Sequence, residues 1–414
     1  MARKINSWFT FFIVLLPFLY QYKSPISVIS LGELILIPFI GFYLINFKWD
    51  RVRYHCYNGY YLYIFAVILA SIMASINSYY RIAEFSTVLV RIVYYSLLIL
   101  VSLKNFDVNE GLKLVRFFSV IFSIYVVIQY IMYKSMGVTL PTVLNPNWVF
   151  SAESGNRTNY SEYYRFIYRP SSLFLEPSYY ALFAGVGLSS ALFNENYRQQ
   201  KNQYGLVMGV IITVGMVVST SSAALLLIIV NWLAYLYKMF CIERRRVTRS
   251  KLLLVTLLCV FMIALFKSPL AVTLLTRTQG GGSFSNRITR GFILAKSMNF
   301  YQILFGVGIN NIEGFMHYNS IVTIYDEGNL NYVSSMIGTY LCSGVFAFIF
   351  YIRVFLLSYT KSNQLLGKIL TISFFLFNFI EANSYSYRFA FFMIFILNVP
   401  LIEGKDVEAI KVKI

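Results

Sequence analysis

The chain predicts an all-α, polytopic membrane protein of about twelve transmembrane helices. Three observations carry that prediction. Hydrophobic residues make up 58% of the 414 residues and charged residues only 13%, whereas a soluble domain is nearer half apolar and a quarter charged. Apolar runs of about 20 residues recur from end to end, the length a helix needs to cross the hydrocarbon of a bilayer. Basic residues collect in every second short loop: Lys48, Arg51 and Arg53; Lys104, Lys113 and Arg116; Arg198 and Lys201; Arg244, Arg245, Arg246, Arg249 and Lys251. That alternation is expected when those loops face the cytoplasm.

In chain order the spans fall at roughly 7–23, 26–47, 59–77, 86–103, 115–133, 178–195, 204–219, 222–240, 252–268, 334–358, 367–382 and 387–403. Arg3 and Lys4 precede the first apolar run as they would in a signal peptide. No small-residue cleavage site follows and a second span comes at once, so the run reads as an uncleaved first helix. The turn between the seventh and eighth spans, Ser219 to Ser222, is very short. With the basic loops inside, both termini are cytoplasmic. Two long loops, 134–177 and 269–333, are then extracytoplasmic, and residues 1–414 form one multi-pass membrane domain. This topology accounts for most of the formal net charge of +18 without a nucleic acid partner, because the Lys/Arg runs alternate with spans.

Several chemistries lack their signatures. Cys56, Cys241, Cys259 and Cys342 lie in spans or cytoplasmic loops, which argues against a disulfide framework. His55 and His317 have no metal-ligand spacing. There is no Asp-x-Asp, Walker-type loop or Gly-x-Ser-x-Gly, so neither a metal nor another cofactor is expected. Gly280 to Gly282 reads as a joint within the second long loop.

Two constellations stand out. The first is Arg169-Pro-Ser-Ser-Leu-Phe-Leu-Glu-Pro-Ser-Tyr-Tyr-Ala181, where a polar loop re-enters a span. Pro177 suits the first turn of a helix, and Glu176 or Ser178 can accept from the open N–H groups there. A carboxylate and an arginine are thus held at the membrane edge, near the positive end of a helix dipole. The second is a helix expected over Arg287–Leu304 in the second long loop, capped by Ser285 or Asn286. Arg287 and Arg290 share a face three residues apart. Placed in the first turn they oppose the dipole, which makes sense if an anion binds there. The alternative is a solvated basic face, or an amphipathic helix touching lipid headgroups.

Charges inside spans come next. Glu33 and Arg91 lie at similar shallow depth in the second and fourth spans, either as a structural pair or with Arg91 lining a wet cavity. Glu381 and Arg388 flank the last outer turn and would close that cavity. Asn231 and Asn378 suit interhelical hydrogen bonds. Of the loop tyrosines, Tyr160, Tyr163, Tyr164 and Tyr168 are candidates for stacking on sugar rings.

Three segments resemble the O-antigen and capsular polysaccharide polymerase (Wzy-type) family, within the O-antigen ligase-like superfamily. Arg169 through Phe174, Glu176 and Pro177 resembles its arginine followed by Phe-x-Glu-Pro entering a span. Val218-Ser-Thr-Ser-Ser-Ala-Ala-Leu225 resembles its serine-rich turn. Arg287-Ile-Thr-Arg-Gly291 with Leu304-Phe-Gly-Val-Gly308 resembles its arginine helix and Gly-x-Gly close. One departure is that Ala223 and Ala224 stand where an arginine often follows the serine turn.

The resemblance implies a GT-C-like bundle in a bacterial cytoplasmic membrane. It would transfer growing glycan from undecaprenyl diphosphate to a lipid-linked repeat unit, beside a chain-length regulator and a flippase. The residues suit that chemistry. Diphosphate is a good leaving group, so cations matter more than a metal, and each charged hydrogen bond contributes about 1.5–3 kcal/mol. Arg287 and Arg290, then Arg169 and Arg91, are the candidate diphosphate ligands. Glu176 is the candidate base for the attacking hydroxyl, or else a helix cap. A ligase of the same superfamily typically places His-Asn before the span after the second loop. Here that stretch reads Asn329-Leu-Asn-Tyr-Val-Ser-Ser335. A flippase would not need two long outer loops with arginines. A peptidoglycan-type polymerase would have only Asp326 for its loop aspartate.

Overall fold

A computed structural model describes residues 2–26, 29–46, 55–149, 168–193, 204–242, 256, 283–321, 333–382 and 384–411. The expected ninth span, 252–268, lies outside the described residues except for Thr256, as do Tyr160, Tyr163, Tyr164 and the basic loop at 244–251. Among the described residues the protein is all helix apart from two isolated bridges. We number the helices α1 (Ala2–Leu19), α2 (Leu31–Ile45), α3 (His55–Ala74), α4 (Ile82–Asn105), α5 (Val108–Met136), α6 (Pro177–Phe193), α7 (Gly205–Val218), α8 (Ser222–Tyr237), α9 (Ser283–Lys296), α10 (Phe300–Phe305), α11 (Ile312–Tyr318), α12 (Ser335–Lys361), α13 (Leu365–Ile380) and α14 (Tyr387–Lys411).

Among the described residues four apolar helices are long enough to cross a membrane: α4, α5, α8 with its π-helical extension to Ile242, and α12. Six shorter apolar helices accompany them. These are the helices of a membrane-embedded protein. On α5, Phe117, Ile121, Ile124, Ile128 and Ile131 are all exposed. Their spacing of three and four draws a single apolar stripe, which suits contact with lipid tails.

The chain packs as two compact units. The first comprises 1–114, 145–158 and 286–414, the second 115–144 and 159–285. At the core of the second unit is α6, buried at every position. Its small residues allow that: a Cβ on Gly187 would meet Ser119 Oγ at 2.1 Å, and one on Gly185 would meet Leu227 at 2.6 Å. Small residues are how helices approach closely when no water drives them together. Asn231 accepts from Ser189 Oγ at 2.7 Å, bridging α6 and α8 as expected. Asn378 instead bonds its own helix through Phe374 O.

In the first unit the inter-helix loops gather at one end. Lys23 N–H donates to Trp148 O at 2.7 Å. Arg81 N–H donates to Asn311 Oδ1 at 2.8 Å, Asn310 Nδ2 to Glu84 Oε2 at 2.6 Å, and Tyr301 OH to Met73 O at 2.6 Å. Tyr20 stacks on Tyr387 at 3.8 Å. All these residues come from segments the charge pattern places on one side of the membrane.

Helix α12 is broken at Gly344, which takes φ 70°. A break inside an apolar helix releases carbonyls that lipid cannot satisfy. Here Leu341 O and Cys342 O accept from Val307 N–H at 2.8 Å and Gly308 N–H at 3.0 Å. The backbones touch: a Cβ on Gly306 would lie 2.3 Å from Cys342 C and O, and one on Gly344 would lie 2.1 Å from Leu304 O. The Gly-x-Gly segment thus does more than turn the chain, because it repairs a broken helix.

Candidate functional site

The helix expected over 287–304 is two helices. Helix α9 ends at Lys296, and Asn299 starts α10 with a reciprocal capping box: its side chain accepts from Gln302 N–H while Gln302 Oε1 accepts from Asn299 N–H, both at 2.9 Å. Such a box is a strong start signal, and it stops the helix before it from running through. Helix α9 also begins earlier than expected, at Ser283. Arg287 and Arg290 therefore sit in its second and third turns, past the open N–H groups of the first four residues. The expected convergence of those N–H groups with the guanidiniums is not built.

A different arrangement is built. Arg287, Arg290, Gly291, Leu294 and Met298 form the buried face of the α9 segment, while Phe292 faces outward. Arg287 is 7% exposed and Arg290 3%, which removes the reading of a solvated basic face. Leu294 and Met298 pack with Val307, Phe315, Val333 and Leu341 in one apolar cluster, and this fixes the helix and its arginines. Buried arginines persist when other groups meet them.

The groups that meet Arg287 come from the α13–α14 turn. Its Nη1 lies 2.5 Å from Glu381 Oε2 and donates to Ile380 O at 3.0 Å. Glu381 is the C-cap of α13 and only 4% exposed. Its carbonyl accepts from Ser335 N–H at 2.9 Å and Ser335 Oγ at 2.7 Å, so the first turn of α12 abuts it. Ser384 Oγ donates to Ser335 O at 3.3 Å and closes the loop. Arg388, 7% exposed, donates from Nη2 to Ala382 O at 3.3 Å and lies over the Tyr387 ring. Tyr385 in the same turn holds φ 59°, a left-handed conformation that costs a non-glycine residue energy. Ser334, the N-cap of α12, is fully buried, and its hydroxyl has no hydrogen-bond partner among the described residues.

The first unit thus sets Arg287 against the buried Glu381 at the N-terminus of α12, with the buried Arg290 one turn along α9 and the buried Arg388 at the start of α14. Guanidinium forks and helix N-termini are the two structural devices that bind phosphate best. The sequence had placed Glu381 and Arg388 at this turn without giving either a partner. Nothing local pairs Arg287 with Glu381, because the two are far apart in the chain.

The second unit brings two of the sequence motifs together. Arg169 Nη2 donates to Thr220 O at 3.3 Å, so the arginine reaches the serine-rich turn through space where the sequence has alanines. Thr220 and Ser172 both hold positive φ, 51° and 57°. Gln129 clamps Ser172 by accepting from its N–H at 2.9 Å and donating to its carbonyl at 3.1 Å. Glu176 is 7% exposed and accepts from Ser178 Oγ at 3.0 Å, while its backbone carbonyl takes the N–H groups of Tyr179 and Tyr180 as α6 begins. Tyr168 stacks on Tyr133 at 4.3 Å, and burial pushes its pKa up to about 12, so it stays a neutral phenol.

Arg91 is exposed in the first half of α4. Glu33 is held by Ser30 and Tyr95 rather than by Arg91. Its carboxylate accepts from Ser30 N–H at 2.9 Å, Ser30 Oγ at 2.8 Å and Tyr95 OH at 2.5 Å. This is a complete capping box for α2. His317 is exposed on α11, 3.7 Å from Glu313. No family model matches the sequence, and no curated protein matches it.

Proposed function

We propose that this protein is a polysaccharide polymerase of a bacterial cytoplasmic membrane. It transfers growing glycan from undecaprenyl diphosphate to a lipid-linked oligosaccharide repeat unit, a metal-independent glycosyltransferase reaction. The observation that supports this best is the cluster of Arg287, Arg290, Arg388 and Glu381 against the start of α12. A lipid diphosphate is dianionic or more, sits at the membrane surface and leaves readily once its charge is balanced. Burial strengthens each hydrogen bond to it, and two charged bonds at about 1.5–3 kcal/mol each would lower the barrier to its departure by several orders of magnitude. The charge pattern of the spans puts this end on the extracytoplasmic side.

In this reading Arg287 and Arg290 hold the leaving diphosphate. Arg169 and Arg91 remain further candidates on their own elements, and of the two roles expected for Glu176 the helix start is the one its backbone bonds to Tyr179 and Tyr180 support. The test is deletion in the native host with surface glycan sized on a gel. Glycan cut to a single repeat unit supports polymerase. Full-length polymer left on its lipid carrier means ligase. Repeat units trapped on the cytoplasmic leaflet mean flippase, and the catalytic assignments then fall.

A further inference from the structure

We infer that Glu381 is the proton acceptor of the transfer, released for that role when the lipid diphosphate takes Arg287 from it. This rests on the polymerase reading of the same cluster. Glu381 Oε2 is held at 2.5 Å by Arg287 Nη1. The same Nη1 holds Ile380 O, so the guanidinium is bound to one edge of the α13–α14 turn. A guanidinium has five N–H donors in a planar fork that matches phosphate geometry. A diphosphate arriving at Arg287 competes with the carboxylate for that fork and brings negative charge beside it. The carboxylate then loses its cationic partner, and its Oε2 is open to a hydroxyl that donates to it. Binding of the donor therefore makes the base.

Glu381 is also anchored to do this without drifting. Its N–H donates to Phe377 O at 3.0 Å, and its carbonyl is fixed twice by Ser335. Only the side chain is free to turn. Residues 382 and 384–386 beside it are half-buried, not sealed, so an acceptor sugar can approach from the turn. The step balances as follows. The acceptor hydroxyl gives its proton to Glu381 while its oxygen bonds to the anomeric carbon of the growing glycan. The bond from that carbon to the diphosphate oxygen breaks, and the electron pair leaves on the diphosphate, met by Arg287 and Arg290. Protonated Glu381 then returns its proton to water and re-forms the pair with Arg287.

The test separates this role from simple positioning of Arg287. Purified protein in lipid nanodiscs is titrated with undecaprenyl diphosphate. Turnover is measured in parallel, on lipid-linked repeat unit extracted from a strain lacking this protein. For Glu381→Gln the expected result is binding as tight as wild type or tighter, since the competing negative charge is gone. Turnover falls about 100-fold or more, the usual cost of losing a general base. Glu381→Asp, which keeps the carboxylate, recovers part of that loss and guards against a folding artefact. Binding that weakens in step with turnover in Glu381→Gln would make the residue a mere prop for Arg287. Normal turnover in that variant would also overturn the role. If wild-type protein binds the lipid and extends glycan, either result sinks only the Glu381 assignment. If wild type does neither, the polymerase reading beneath it goes as well.

Discussion

The two units each hold a buried glutamate and an arginine from the sequence motifs, but they use them differently. In the first, Glu381 meets a guanidinium directly, across a long stretch of chain. In the second, Glu176 receives a hydroxyl two residues away and begins a helix, while Arg169 donates to a backbone carbonyl. One arrangement sets charge against charge in a buried place. The other includes caps and clamps that shape two turns. The lesson is that a motif's charged residues do not declare their role until their partners are known. A carboxylate bound to a distant guanidinium can be exchanged by an incoming anion.

That contrast can be broken by substitution. Arg287→Ala should have the largest effect, because it strands Glu381 in a buried site. Breaking a buried pair costs about 3–5 kcal/mol, and polymer should vanish. Arg287→Lys keeps the charge without the fork and should restore membrane yield more than polymer, which immunoblot and glycan gel together would show. Arg169→Ala should matter less. It removes a hydrogen bond worth about 1–3 kcal/mol and loosens the serine turn, read as a lower melting temperature with shorter polymer. Ser30→Ala removes the cap of α2 and should cost about 0.5–2 kcal/mol of stability with turnover per folded molecule unchanged. Smallest of all, Glu176→Gln keeps an acceptor for Ser178 and should leave turnover near normal. A large loss of turnover there, with the protein still folded, would move the base to the second unit and erase the contrast.

The apolar helices were legible because each is a continuous apolar run. Eleven of the expected runs fall on helices, with ends up to eight residues apart. Four of those helices are long and apolar enough to cross a membrane. The ninth run lies outside the described residues except for Thr256. The two turns at Ser219–Ser221 and Glu176–Pro177 were legible too, since local hydrogen-bonding residues mark them. What stayed hidden was long-range. The break of α12 at Gly344 shows in sequence only as one more glycine in a span. Its cause lies in the Gly306–Gly308 segment, where the N–H groups of Val307 and Gly308 supply the lost bonds. The start of α10 was locally encoded in Asn299-Phe-Tyr-Gln302, but the expected single helix ran through it. The Arg287–Glu381 pair carries no local signal at all, because ion pairing between elements depends on packing that only the fold supplies.

The most direct test of the arginine cluster is polymerisation by purified protein in liposomes, comparing wild type with Arg290→Ala at equal reconstituted amounts. Wild type should build a ladder of glycan lengths and release undecaprenyl diphosphate, while Arg290→Ala should release less than about one hundredth as much, the loss expected from about 3 kcal/mol of leaving-group stabilisation. An equally long ladder at an equal rate from the variant would show that the buried arginines of α9 do not hold the leaving diphosphate.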